Sequence, residues 1–254
     1  MVEARPATLI TGASAGLGAE FARQCAARGD ALVLVARRRE RLVKLKEELP
    51  TEAHVFVADL SVPDAPAQML AQVRAAGLSV GTLINNAGFG LAGAFAELPA
   101  DRQLEMIDLN IRSLTELCSL VLPDMRARGK GAILNVASTA AFQAGPNMAV
   151  YYASKAYVLS LTEALHQELK GSGIGVTALC PGPTATEFFD VAGAGEGRLA
   201  KIATDPVAVV RAGLDGLARN KAIVVPGLAN KIGSQGNRLL PRAVMRRIIA
   251  RIKA

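Results

Sequence analysis

Tryptophan is missing from this chain, and the aromatic complement is three Tyr and seven Phe. The core must therefore be built from Ala, Val, Leu and Ile, as buried parallel sheets usually are. Cysteine and histidine are almost as scarce: Cys25, Cys118 and Cys180 stand far apart without a CxxC pair, and there are two His. A disulfide framework and a metal site both lack ligands, and each Cys reads as a small buried apolar residue. No window of about 18 uncharged apolar residues exists, which speaks against a membrane span. The opening MVEARPATLITG has no apolar run of signal-peptide length, so a reducing cytoplasm is the expected location. Basic residues interleaved with stacking aromatics are also lacking, so nucleic acid is not an expected partner.

What is present points to an α/β protein. The 254 residues fit one large domain, since a single core can grow to about 250 to 300 residues before splitting. Short apolar runs alternate with helix-length spacers: ATLIT (7 to 11), ALVLVA (31 to 36), HVFVA (54 to 58), TLIN (82 to 85), AILNVA (132 to 137), GVTALC (175 to 180) and AIVVP (222 to 226). Seven such runs predict right-handed βαβ units and a doubly wound parallel sheet, the Rossmann architecture, over residues 1 to 226. Asp205 before Pro206 marks a helix start, Gly171 and Gly173 a helix end, and GAGEG (193 to 197) a loop. The net charge of +7 is uneven: from Arg198 onward twelve Lys/Arg face two Asp, leaving the first 197 residues at −3. The basicity belongs to the tail.

Directly after the first run stands TGASAGLG, with Gly12, Gly16 and Gly18 in GxxxGxG spacing. A tight glycine turn between strand and helix lets backbone N–H groups and a helix N-terminus face a pyrophosphate with no side chain in the way. Ser14 and Leu17 lie in the same turn. After the second run, an acid would bond the ribose 2′-OH of NAD. Here the chain enters Arg37, Arg38 and Arg39, which suit a 2′-phosphate, so NADP(H) is the expected cofactor with Arg37 the leading contact. The competing reading is that these arginines merely open a solvated helix, and Arg39 fits it.

The stretch YYASK (151 to 155) offers two tyrosines before a lysine. A tyrosine that exchanges protons near neutrality needs its pKa lowered by about 3 units, or about 4 kcal/mol, and a fixed cation can supply that. On a helix Tyr151 is four residues from Lys155 and Tyr152 three. Spacing leans to Tyr151, although both separations allow contact.

TGxxxGxG at Gly12, NNAG at Asn85 to Gly88, Asn110, Ser138 after the fifth run, YxxxK at Tyr151 and PGPTAT at 181 to 186 together resemble the short-chain dehydrogenase/reductase family. The resemblance runs from about residue 7 to 226. It implies an oxidoreductase that moves a hydride between NADP(H) and a carbonyl or alcohol. In the family the Y of YxxxK is the proton donor, which makes Tyr151 the acid and Tyr152 a pocket neighbour. Lys155 would lower the tyrosine's pKa and hold the nicotinamide ribose, Ser138 would polarise the carbonyl, and Asn110 would hold a relay water. Asp59, with Leu60 beside it, resembles the adenine contact. Asn86, Ala87 and Gly88 resemble the segment that steadies the cofactor region. Pro181 and Gly182 would turn the chain past the nicotinamide, with Thr184 and Thr186 near its carboxamide and Thr186 favoured.

Substrate contacts are expected from FGLAGAF (89 to 95), FQAGPNM (142 to 148) and residues 188 to 203. Phe89, Phe142, Phe188 and Phe189 make these segments apolar, and Arg198 and Lys201 are the cations in them. An apolar aldehyde or ketone fits best. His54 and His166 read as ordinary surface or core residues. The alternatives are an NADP-binding sensor that does no chemistry, or a reductase of lipid carbonyls at a membrane surface. The second comes from residues 227 to 254, where Val244, Met245, Ile248, Ile249 and Ile252 share a helical face amid Arg242, Arg246, Arg247, Arg251 and Lys253. Such a tail could instead pack over the cleft or on a second subunit. Family members are commonly dimers or tetramers, so a homo-oligomer is expected.

Overall fold

All seven apolar runs become strands of one parallel sheet: β1 Arg5–Thr11, β2 Leu32–Ala36, β3 Ala53–Val57, β4 Leu78–Asn85, β5 Gly131–Val136, β6 Ile174–Leu179 and β7 Ile223–Val224. Their order across the sheet is β3-β2-β1-β4-β5-β6-β7. The computed structural model describes residues 4–188, 192–193, 204–239 and 241–253, without the side chains of 237–239 and 251–253. Connecting the strands are α1 Gly16–Ala27, α2 Arg39–Glu48, α3 Ala65–Ala75, α4 Ala100–Ile107, α5 Leu114–Arg128, α6 Ala149–Glu168 and α7 Pro206–Ala218. After β7 come α8 Leu228–Leu239 and α9 Arg242–Lys253.

The sheet is buried on both faces, which is why its strands read as unbroken apolar runs. Leu9, Val33, Val35, Leu83, Ile133 and Val176 point into one core with α3, α5 and α6. Ile10, Leu32, Leu34, Ile84, Leu134 and Leu179, which face the opposite side of the same strands, point into the other, with α1, α2 and α7. Each fully buried side chain of this size stabilises the fold by about 1.5–3 kcal/mol. The boundaries follow local signals. Asp205 accepts from the Val207 N–H at 3.1 Å to cap α7, with Pro206 at its first turn. Past the end of α6, Gly171 and Gly173 take positive φ of 82° and 78° to swing the chain into β6.

Strand order reverses between β1 and β4, and at such a switch point the carboxyl ends of the strands leave a crevice. One helix departs from regular winding. Between α4 and α5 the chain makes a π-helical stretch over Asp108–Ser113, a form that recurs at functional sites. Met245 of α9 is buried, so the helix packs inward on that side.

Candidate active site

A cleft of about 540 Å³ opens along the carboxyl ends of the strands, lined from Gly12 and Ser14 through Asp59 and Asn86 to Ser138, Tyr151 and Phe188. Where β1 runs into α1 the glycines are required by space. A Cβ on Gly18 would lie 2.1 Å from the Gly12 carbonyl oxygen, and Gly12 has φ +66° against the backbone of Ala87. The N-terminus of α1 has no side-chain cap and no acid in its first turn. Its unpaired N–H groups therefore remain available to an anion. Asn86 staples this turn to β4: its Nδ2 donates to the Thr11 carbonyl at 2.9 Å, and the Thr11 hydroxyl accepts from the Asn86 and Ala87 N–H groups at 3.0 and 2.9 Å. Leu17, Leu60, Ala87 and Gly88 line the same wall.

Arg37 and Arg38 both line the cleft, with different partners. Arg37 reaches Asp59 at 3.5 Å and Glu105 at 3.4 Å. Arg38, not Arg37, meets Ser14, through Nε and Nη2 at 3.3 Å. Arg38 also pairs with Glu187 at 3.1 Å, and Arg41 with the same carboxylate at 2.6 Å. These two arginines hold Glu187 below the usual carboxylate range, Arg41 contributing most. For Asp59, burial pushes the pKa up, but the hydrogen bonds from Ser61 and the charge of Arg37 outweigh it and leave the group lowered.

At the other end Ser138, Tyr151 and Lys155 come together from β5 and α6. Ser138 follows the end of β5; its Oγ accepts from the Ala140 N–H at 3.0 Å and donates to the Pro181 carbonyl at 3.5 Å, and its hydroxyl acts to lower the pKa of the Tyr151 phenol. Tyr151 is buried, edge-on to Tyr152 with ring centroids 6.1 Å apart and tilted on Phe188 at 5.2 Å. Lys155 is 6% exposed and donates from Nζ to the Val136 carbonyl at 2.8 Å. Its ammonium lies 5.9 Å from the Tyr151 ring centre. Burial lowers Lys155 to about 8, opposed by Cys180. The expected acidification of Tyr151 is not what this arrangement gives. Burial raises the phenol to about 12, Ser138 works against that, and Lys155 is not among the causes.

Asn110 sits in the π-helical stretch with its amide spent on a clamp. Oδ1 accepts from the Phe89 N–H at 3.1 Å, while Nδ2 donates to the Phe89 carbonyl at 3.0 Å and to the Ser154 hydroxyl at 3.1 Å. The side chain thus fixes the NNAG segment against α6. In PGPTAT, Pro181 and Gly182 line the cleft, and Asn230 of α8 backs Gly182 so closely that a Cβ there would lie 2.4 Å from its Oδ1. Thr184 donates to the Gly182 carbonyl at 3.0 Å, and Thr186 packs its methyl on Gly16, so both hold the loop as well as line it.

On the substrate side the walls are Phe89, Gln143, Met148, Tyr152, Phe188 and Ile249. Phe142 was expected here but packs instead against the core under α6. Phe189, Arg198, Lys201 and most of GAGEG lie outside the described residues. His54 pairs with Glu52 at 2.9 Å and His166 with the Val176 carbonyl at 2.8 Å, both away from the cleft. Two contributors had no signal in the sequence. Glu187 belongs to no charge pattern, and Asn230 reaches Gly182 from a segment outside the motifs. Ile249 was visible only as one member of an amphipathic face.

Among the described residues no three His, Cys, Asp or Glu side chains cluster to hold a metal ion. The glycine cradle, the uncapped α1 terminus and the Ser14–Arg38 pair together fit an anionic dinucleotide with a further phosphate.

Residues 6–197 match the family model described as short chain dehydrogenase. The chain is 41% identical over 187 residues to sulfoacetaldehyde reductase 2 of Chromohalobacter salexigens, which covers 71% of this chain and 73% of that protein. Among solved structures it is similar to a short-chain dehydrogenase from Sphingobium yanoikuyae in complex with NADPH, at 35% identity and TM-score 0.81 over 94% of this chain and 95% of that one. It is also similar to the bulky-bulky ketone specific alcohol dehydrogenase from Comamonas testosteroni, at 33% identity and TM-score 0.75 over 93% and 94% of the two chains.

Proposed function

From the premise that this chain belongs to the short-chain dehydrogenase family, we propose that it is an NADP(H)-dependent reductase of apolar aldehydes or ketones. Relatives with reductase names and a neighbour bound to NADPH support carbonyl reduction with this cofactor. The observation that carries the reading is the convergence of Ser138, Tyr151 and the buried Lys155 on one wall of the cleft.

Gly12, Gly16, Gly18 and the start of α1 would hold the pyrophosphate, Ser14 and Arg38 the 2′-phosphate, and Asp59 and Leu60 the adenine side. Ala87, Gly88, Lys155, Pro181, Gly182, Thr184 and Thr186 would enclose the nicotinamide half. When bound, NADPH supplies a hydride to the carbonyl carbon. The chain's own residues handle the oxygen. Ser138 and Tyr151 offer two hydroxyl donors to it, which stabilises the negative charge as it grows. Tyr151 then gives up its proton, because even a phenol raised to about 12 is a far stronger acid than an alcohol. Asn110 acts at a distance, by clamping the Phe89 backbone opposite Tyr151.

The apolar specificity rests on the lining. Among the described cleft residues, Arg37 and Arg38 stand at the adenosine end and Lys155 is engaged with Val136. The substrate end offers Phe, Met, Tyr and Ile surfaces and the Gln143 amide. That lining resembles what a bulky ketone needs more than what a sulfonate needs. We assign residues 1 to 226 to the catalytic domain and the remainder to a tail. A homodimer or homotetramer in the cytoplasm accords with family membership. The test is oxidation of NADPH and NADH over a panel of aldehydes, ketones and 3-oxoacyl esters. Turnover with NADPH on apolar ketones, abolished by Tyr151→Phe and retained by Tyr152→Phe, is the expected result. Preference for small charged aldehydes would overturn the substrate class.

A further inference from the structure

The chain has 29 Lys/Arg and 22 Asp/Glu, and residues 227 to 254 hold seven of the Lys/Arg and none of the acids. Those 28 residues thus carry the entire net charge of +7, and everything before them is neutral. The same segment exposes large apolar side chains. Leu228 and Ile232, one turn apart on α8, are 74% and 67% exposed. On α9 the apolar positions split into two rows. Met245 is buried and Ile249 lines the substrate end of the cleft, while Val244 and Ile248, also one turn apart, are exposed beside the exposed Arg246 and Arg247.

We propose that α8 and α9 dock this protein on an anionic lipid bilayer, with the mouth of the substrate cleft turned to the lipid. Charge selects the occupant. A segment with seven Lys/Arg and no Asp or Glu is drawn to anionic headgroups, and Leu228, Ile232, Val244 and Ile248 have the size and exposure to enter the headgroup–acyl boundary. Nucleic acid would meet the charge but leave the aliphatic side chains unused, and residues 227 to 254 contain no aromatic ring for a base to stack on. No helix among the described residues is long and apolar enough to cross a bilayer, so the contact is with one leaflet. Because α9 bears both the exposed row and the cleft-lining Ile249, a carbonyl compound dissolved in the leaflet has a short apolar path to the site. This last point rests on the apolar-carbonyl reading above; the docking does not.

The experiment is co-sedimentation of the full chain with phosphatidylcholine vesicles and with vesicles that also contain phosphatidylglycerol. Two variants accompany it, Leu228→Ser/Ile232→Ser and Arg246→Gln/Arg247→Gln, with turnover of a water-soluble ketone as the folding control. The full chain is expected to bind the anionic vesicles, each variant at least about tenfold more weakly, with ketone turnover unchanged and added salt weakening binding. Equal binding to neutral and anionic vesicles, or no binding to either, overturns the proposal. Retention on an oligonucleotide without vesicle binding assigns the tail to nucleic acid instead. A fall in oligomeric state in Leu228→Ser/Ile232→Ser, with no vesicle binding by the parent, assigns the face to a second copy. If the chain binds anionic vesicles yet reduces no apolar carbonyl compound, docking stands and the substrate reading falls.

Discussion

Lys155 is a cation kept in a place that disfavours its charge. Its folded pKa of about 8 lies below the ordinary value of 10.5, so in the unliganded protein burial opposes the ammonium form. Below pH 8 both folded and unfolded chains carry the proton and the penalty is complete, about 3 kcal/mol. Between 8 and 10.5 the folded lysine has lost its proton while the unfolded one retains it, and the penalty fades as pH rises. Lys155→Met should therefore be more stable than the parent by urea unfolding at about pH 7, with the gap narrowing at about pH 9.5. A pH-independent gap would contradict this account. Glu187 invites a second test, because it occupies Arg38 and Arg41. An incoming 2′-phosphate must share those guanidiniums with it. Glu187→Gln should tighten adenosine 2′,5′-bisphosphate by about three- to tenfold, with ADP binding unchanged by calorimetry. At this scale Tyr151, Lys155 and Ser138 were visible through the resemblance to the family's motifs, since spacing alone left Tyr151 and Tyr152 both open. The sequence could not show that Arg38 and not Arg37 meets Ser14, since neighbouring side chains on an arginine run differ only in where the backbone aims them.

Strands and helices were legible where burial is two-sided and long. Every apolar run became a strand within a few residues of its expected bounds, because a sheet covered on both faces tolerates few polar side chains. The exceptions carry information. Asn85 and Asn135 sit opposite each other in β4 and β5, fully inside; Asn85 Nδ2 donates to Asn135 Oδ1 at 2.9 Å, and Asn135 Nδ2 to the Thr162 hydroxyl of α6 at 3.0 Å. Asn135→Ala would leave Asn85 Nδ2 with only the Cys118 thiol and the Thr162 hydroxyl with only the Val158 carbonyl, so a loss of about 1–3 kcal/mol in urea unfolding is expected. The π-helical stretch was not legible, for it depends on how α4 and α5 seat Asn110 under Phe89 rather than on any residue type. Removing Leu109 would restore regular winding and turn Asn110 from its clamp. That deletion should fold, as judged by circular dichroism, and reduce carbonyl turnover by at least about tenfold.

For the whole molecule, the switch point between β1 and β4 explains why segments distant in the chain converge on one cleft. A doubly wound parallel sheet was legible in the alternation of apolar runs and helix-length spacers; the seating of α8 against Gly182 and of α9 along the cleft was not, since an amphipathic helix pattern does not name what it covers. Native-state hydrogen exchange should reflect the same hierarchy. Amides of Leu9, Leu83 and Ile133 are expected to open only with global unfolding, and those of α9, buried chiefly through Met245, well before. The sheet order also bears on how the chain is made. β1 pairs with β2 on one side and β4 on the other, so that Leu9 lies beside Val33 and Leu83. During synthesis β1 and β2 emerge together, but the second edge of β1 stays bare until β4 leaves the ribosome. A slow codon stretch between β2 and β4 would prolong the life of that open apolar edge and raise the burden on chaperones.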